Sequence, residues 1–303
     1  MQRRKAIWAL NPFQVHPAVF KSTLDLLKFL SARAGWELTP VFSMTPIPAK
    51  KDLAQKAKKK LKALFANVDI PHLLHPLVLQ SQGPQQSQGA DILVAYAARK
   101  KAKFIAVGTQ GGIHFTRWVL GSFAEALLYR SKIPLILVKK TSAIPFPRTK
   151  VLFATDLVPN SLRAFRNYCR FVSPLNATLI IFHVIPDYFQ WSLPEPDPFS
   201  VGFSRQKNSV SQKEYLHRIR SWCKKRALPY LEIAAKWKIR ASFQMAFAET
   251  SVSRVILNFA KQHKIRMIAL AGKSGRPSSI LLGSTSRYVA KMATCPIWIY
   301  RPE

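Results

Sequence analysis

Gly108, Gly111 and Gly121 are separated by two and nine residues, and Ser122 stands directly behind the last of them. Glycine lacks Cβ, so its backbone can adopt positive φ and bring N–H groups against the oxygens of an anion. A Gly-Ser pair that opens a helix adds unpaired N–H donors and the positive end of the helix dipole. The chemistry suited to this spacing is the cradling of phosphate. His114 and Arg117 lie within the same loop, where they could touch a terminal phosphate. The same residues also support a plainer reading. Ser122 with Glu125 three positions on is a capping box, and Gly121 a turn residue.

The pattern has an echo. Residues 265–302 repeat 103–140: an apolar strand ending in Gly, a glycine-bearing loop, a Gly-Ser opening a helix, then Pro and a second apolar strand. Gly121 and Gly283 lie 162 residues apart, as do Pro134 and Pro296. The second copy keeps Gly272 and Gly275, but only seven residues separate Gly275 from Gly283 and Ser284. Arg287 stands in place of Glu125, and Lys273 and Arg276 add positive charge. Residues 151–156 likewise match 6–11.

Around these loops the chain alternates short apolar strands with longer helical patterns. The first half predicts strands over 5–10, 36–44, 70–79, 103–108 and 134–139, with helices over 16–33, 49–66, 89–101 and 119–131. The second half predicts strands over 150–155, 177–185, 240–247, 266–271 and 296–301, with helices over 160–173, 210–236, 250–263 and 284–293. Such alternation argues βαβ units and parallel sheets. The expected class is α/β, with two doubly wound five-stranded domains over 1–145 and 146–303, joined through a Pro-containing linker at 141–150. In a strand order 3-2-1-4-5 the loop after the fourth strand lies beside the end of the first. That is the crevice where ligands sit in open α/β sheets.

The formal net charge is +33, spread over both halves: 22 Lys/Arg against 6 Asp/Glu in 1–147, and 25 against 8 in the remainder. Such a field attracts polyanions, including nucleic acid, without choosing among them. The helix over 49–66 sets Leu53, Ala57, Leu61, Leu64 and Phe65 on one stripe and lysines elsewhere, as an outer helix of an α/β layer would, and as a membrane-surface or nucleic-acid helix would also. The three cysteines are scattered, which suits a reducing interior. No run is long and apolar enough for a signal-peptide core or a membrane span, so the expected location is cytoplasmic. Residues 186–210, rich in Pro and aromatics, form a long insertion expected to fold as a flap over the second site.

The Gly-x2-Gly-x9-Gly-(Ser/Thr) spacing resembles the ATP-binding loop of the universal stress protein family, with every specified position matched. The likeness extends over both halves, so the chain looks like a tandem member. That resemblance implies ATP or a related adenine nucleotide, with Mg2+ as an accompanying ion. It implies an Asp at the end of the first strand near the adenosine, present as Asp156 in the second half and replaced by Asn11 in the first. It also implies backbone contact with adenine at the end of the second strand, at Val184 and Met44. The resulting candidates are Asn11, Met44, Gly108, Gly111, Gly121 and Ser122 in the preferred first half, and Asp156, Val184, Gly272, Gly275, Gly283 and Ser284 in the second. The two domains are expected to pack as an intrachain pseudo-dimer through their last strands, with a further homodimer left open.

Other chemistries find little support. No GxxxxGK(S/T) motif occurs. His72 and His75 have a metal-like spacing on a predicted strand, without a Cys or acidic partner nearby. No sequence context marks a nucleophile with its base. The expected role is therefore binding and regulation, not enzymatic turnover, although slow ATP hydrolysis stays open. The rival expectation is a basic nucleic-acid-associated protein with degenerate nucleotide sites.

Overall fold

The described strands carry apolar residues on both faces, and helices pack against the two faces of the sheet. The computed structural model describes residues 3–45, 52–80, 89–109, 120–140, 149–186, 212–248, 251–272 and 283–301. In chain order the first half comprises β1 (Arg4–Ala9), α1 (Pro17–Ala34), β2 (Trp36–Met44), α2 (Leu53–Phe65), β3 (Leu77–Gln80), α3 (Gly89–Arg99), β4 (Ile105–Gly108), α4 (Ser122–Arg130) and β5 (Leu135–Val138). The second half follows with β6 (Lys150–Ala154), α5 (Pro159–Val172), β7 (Thr178–Ile185), α6 (Gln212–Lys236), β8 (Ala241–Phe247), α7 (Val252–Gln262), β9 (Met267–Ala271), α8 (Ser284–Met292) and β10 (Ile297–Tyr300).

The strands form one ten-stranded sheet, in the order β3-β2-β1-β4-β5-β10-β9-β6-β7-β8. Each half therefore has the order 3-2-1-4-5, and all pairs within a half are parallel. The halves meet where β5 and β10 pair antiparallel, Leu137 facing Ile297 and Leu135 facing Ile299. Alternation along β1 shows how the layers arise. Ala6 and Trp8 enter one core with Leu26 and Leu30 of α1, while Ile7 and Ala9 enter the other with Leu93 of α3 and Leu127 of α4. The first core continues into the second half through Phe153, Phe165 and Trp298. Burying an aromatic of this kind contributes on the order of 2 kcal/mol.

Ala57, Leu61 and Phe65 of the expected stripe on α2 are buried, with Leu53 and Leu64 half-buried. The expected strand over 70–79 is mostly absent. Only an isolated bridge, Leu38 to Leu73, precedes β3. The cause is proline. Leu38 exchanges hydrogen bonds with His72 and Leu74, so the N–H of every second residue of β2 points toward β3. Pro40 occupies the next such position and has no N–H to give, and Pro76 breaks the facing segment. His72 has φ 59° and is exposed, as is His75, so neither lies on a strand. No group of three metal-ligating side chains occurs among the described residues.

Candidate functional site

A doubly wound sheet leaves a crevice where the helices after its first and fourth strands diverge to opposite faces. Each half has a cavity there. The first, of about 290 Å3, is walled by Ala9–Asn11 after β1, Ser43 of β2, Gly108 of β4, the start of α1 and the first turn of α4. The second, of about 570 Å3, is walled by Thr155 and Asp156, by 182–186, by Leu270 and Ala271, and by the first turn of α8. Ile219, Trp222 and Cys223 of α6 close its far side.

The two helix starts share one feature. Gly121 caps α4 and Gly283 caps α8, and neither cap supplies a side-chain hydrogen bond. The capping box expected at Ser122 is thus absent: Ser122 is the first helical residue, and its hydroxyl does not cap. The opening N–H groups of a helix have no partner within it. At α4 they belong to Ser122, Phe123 and Ala124, and at α8 to Ser284, Thr285 and Ser286; all six residues line the cavities. Donors without intrahelical partners, plus the dipole, suit an anion.

Among the first-half candidates, Asn11, Gly108, Gly121 and Ser122 share one cavity. Asn11 is already occupied with its own turn: its Oδ1 accepts from the Phe13 N–H at 3.0 Å and its Nδ2 donates to Gln14 Oε1 at 3.3 Å. Gly108 is needed for packing, because a Cβ there would lie 2.8 Å from Val19 Cγ1 of α1. Met44 is buried outside the lining, with Gln80 Nε2 donating to its sulfur at 3.9 Å. Its neighbour Ser43 takes the wall position, and the Ser43 hydroxyl is buried with no hydrogen-bond partner among the described residues. Ser43 was not among the candidates, although it occupies the place of His183 in the duplicated pattern. Gly111, His114 and Arg117 lie outside the described residues.

In the second half Asp156, Val184, Gly283 and Ser284 line the cavity, and Gly272 does not. The Gly272 N–H donates to Tyr300 O at 2.9 Å, as the Thr109 N–H donates to Val138 O at 2.7 Å. Gly272 therefore holds the ladder position of Thr109, one residue beyond that of Gly108. A Cβ on Gly272 would meet Arg301 Cβ at 3.2 Å, so this glycine eases the fit of the last strand. Gly275, Lys273, Arg276 and the proposed flap beyond Pro186 lie outside the described residues. Arg287 reaches across the junction, donating to Tyr129 Oη at 2.9 Å.

Asp156 is exposed at the cavity mouth, where its Oδ1 accepts from Ser161 Oγ at 2.5 Å. His183 Nδ1 lies 2.8 Å from the carbonyl oxygen of Thr155, which can only accept. Nδ1 therefore carries the proton, and Nε2 remains an acceptor. Burial holds the His183 pKa below its ordinary value, against the opposing effects of the Thr155 carbonyl and Asp156, so the ring is neutral at pH 7. The strand-to-helix turn is pinned by Thr155 Oγ1, which accepts from the Leu157 N–H at 3.0 Å and lies 3.1 Å from Tyr230 Oη. Leu157 is left-handed there, with φ 60°. The walls from α6 could not have been read from the sequence, since α6 is separated from its strand by the long insertion.

The chain matches the model of the Universal stress protein family over residues 38–139 and 147–301. A universal stress protein of Mycolicibacterium smegmatis is 24% identical over 298 residues, spanning 98% of this chain and 92% of that one. In solved structures, a universal stress protein from Archaeoglobus fulgidus superimposes with a TM-score of 0.63 at 16% identity, over 100% of both chains. A putative universal stress protein from Pseudomonas aeruginosa gives 0.62 at 14% identity, over 99% of this chain and 94% of that one.

Proposed function

This chain belongs to the universal stress protein family over both halves, and from that premise we propose a cytoplasmic stress-response regulator that binds an adenine nucleotide, ATP or a close relative. The observation that supports this reading is the uncapped first turn of α8, which opens into the same cavity as Asp156 and the end of β7. The phosphates would take the N–H groups of 284–286, and Asp156 would face the adenosine. The glycine spacing favours the first half, but the dimensions favour the second. About 570 Å3 falls within the roughly 300–1,000 Å3 common for small-ligand pockets, whereas about 290 Å3 is at its lower limit. Among the described residues Asp156 is the one carboxylate in the second lining, so Mg2+ would fit as an ion carried largely by phosphate oxygens. We propose binding and regulation, not turnover.

Proline is well tolerated at the first position of a helix, where it removes one N–H without breaking the helix. Calorimetric titration of ATP into S284P is therefore a direct test, with S284A as the control for the lost hydroxyl. A charge-assisted hydrogen bond contributes about 1.5–3 kcal/mol, so S284P should bind on the order of tenfold or more weakly than S284A. S122P reports on the first half in the same way. Undiminished ATP affinity in the doubly substituted S122P/S284P protein would refute the reading.

A further inference from the structure

We propose a second anion site, at the opposite edge of the first half from its nucleotide cavity, for a compact ligand bearing several phosphates in a row. Among the described residues, a concavity of about 460 Å3 there is lined by cations alone. Arg3, Arg4 and Lys5 form one wall as the chain runs into β1. Arg99, Lys100, Lys101 and Lys103 form the other, from the end of α3 and the turn into β4. Asn11 follows β1 at its far end, so this site and the first cavity are roughly 20 Å apart at about 3.3 Å per residue.

The backbone beneath these charges is fixed. The Lys103 N–H donates to Lys5 O at 2.8 Å and ties the two walls together. Lys101 turns the chain with φ 55°, and the Ala102 N–H returns to Ala97 O at 2.9 Å. Arg99 and Lys100 lie 5.7 and 5.8 Å from the Tyr96 ring, whereas the Arg4 guanidinium lies 5.8 Å from the Trp36 ring and donates to Arg170 O at 3.4 Å. Glu37 is the acid in register with Lys5, and it forms no ion pair among the described residues. Neighbouring like charges repel, and a bound polyanion relieves that repulsion while gaining charge-assisted hydrogen bonds.

The lining also discriminates between anions. Among the described residues no aromatic side chain lines the concavity, Tyr96 being buried beneath its two cations, so nucleobases find no stacking platform there. A pocket enclosed by two chain segments suits a short phosphoanhydride chain better than an extended duplex. Such a chain has two sources, free inorganic polyphosphate or the phosphate tail of a nucleoside polyphosphate.

Calorimetry of the full chain with a short linear inorganic polyphosphate tests the site. Binding should be saturable and should weaken with salt. R99Q/K100Q/K103Q should reduce affinity by about tenfold or more and lower the slope of log K against log salt by about 1 for each cation removed. R3Q/K5Q, on the other wall, should act in the same direction, which covers the case of a first variant that does not fold. K58Q/K59Q/K62Q removes the same charge from the exposed face of α2 and should leave affinity within about twofold. Equal losses in the α2 variant would overturn the proposal, because the general field would then hold the anion. Tighter binding of duplex DNA than of polyphosphate at equal charge would also overturn it. ATP titrated into S122P/S284P separates the two sources. Residual binding that R99Q/K100Q/K103Q abolishes makes the nucleotide tail a ligand of this site, and its absence leaves free polyphosphate.

Discussion

Ile136 and Trp298 face each other across the antiparallel ladder of β5 and β10. They are 162 residues apart, the offset that also separates Gly121 from Gly283. Equivalent positions of the two copies thus meet, and the pseudo-two-fold axis passes between them. Trp298 is fully buried, with its ring 5.0 Å from that of Tyr168 in α5. Trp298→Ala should cost about 3–5 kcal/mol, read as a lower denaturant midpoint. A loss below about 1 kcal/mol would show that the junction adds little to the stability of either half.

Lys139 lies at the same junction, its Nζ donating to Lys291 O at 2.6 Å. Burial lowers its pKa to about 8, from 10.5. Below about pH 8 the folded protein bears the cost of a buried charge. Between about 8 and 10.5 the unfolded chain holds a proton that the folded protein has released, so this contribution to stability rises with pH. The rise totals about 3 kcal/mol. Cys169 and Cys295 act in the opposite direction: burial pushes both thiols up to about 12, and stability is lost as pH rises through 9. The difference between wild type and K139M reports the lysine together with its electrostatic coupling to the Cys295 thiol. It should change by about 3 kcal/mol in favour of wild type across this window, and a flat difference would contradict the assignment.

Gly108 offers a test of packing. Gly108→Ala places Cβ 2.8 Å from Val19 Cγ1 and should destabilise by about 1–3 kcal/mol. The double variant with Val19→Ala should recover part of that loss, because the colliding methyl is gone. Recovery seen by thermal melting would identify the cause as steric. An equally destabilised double variant would place it in the backbone.

Ser43 lines the first cavity, and its hydroxyl is buried without a hydrogen-bond partner among the described residues. A buried polar group without a partner costs about 1–3 kcal/mol. Ser43→Ala should therefore raise the stability of the ligand-free protein by about 1 kcal/mol, measured by chemical denaturation. A destabilised variant would mean that the hydroxyl has a partner in solution.

The meeting of the last strands was implied by the family resemblance, whereas two diverged copies of one strand–loop–helix–strand pattern, with Gly121/Gly283 and Pro134/Pro296 at the same offset, were enough to read the duplication and the α/β class. These depend on period and spacing, which a sequence carries directly. Pro40 and Pro76 were visible too, but their combined effect on β3 required the parity of β2, which is a property of the ladder. The alignment of Gly272 with Gly108 was off by one ladder position for the same reason.

The candidate site divides in the same way. Asn11, Gly108 and Ser122 on one side, and Asp156, Gly283 and Ser284 on the other, were legible because they flank strand ends and helix starts. The wall made by Ile219, Trp222 and Cys223, the buried hydroxyl of Ser43 and the cluster of cations at the start of β1 were not legible. Local spacing determines which backbone donors lie free at the end of a helix. Which distant side chains share a cavity with them depends on how sheet and helices pack, and that is decided only in three dimensions.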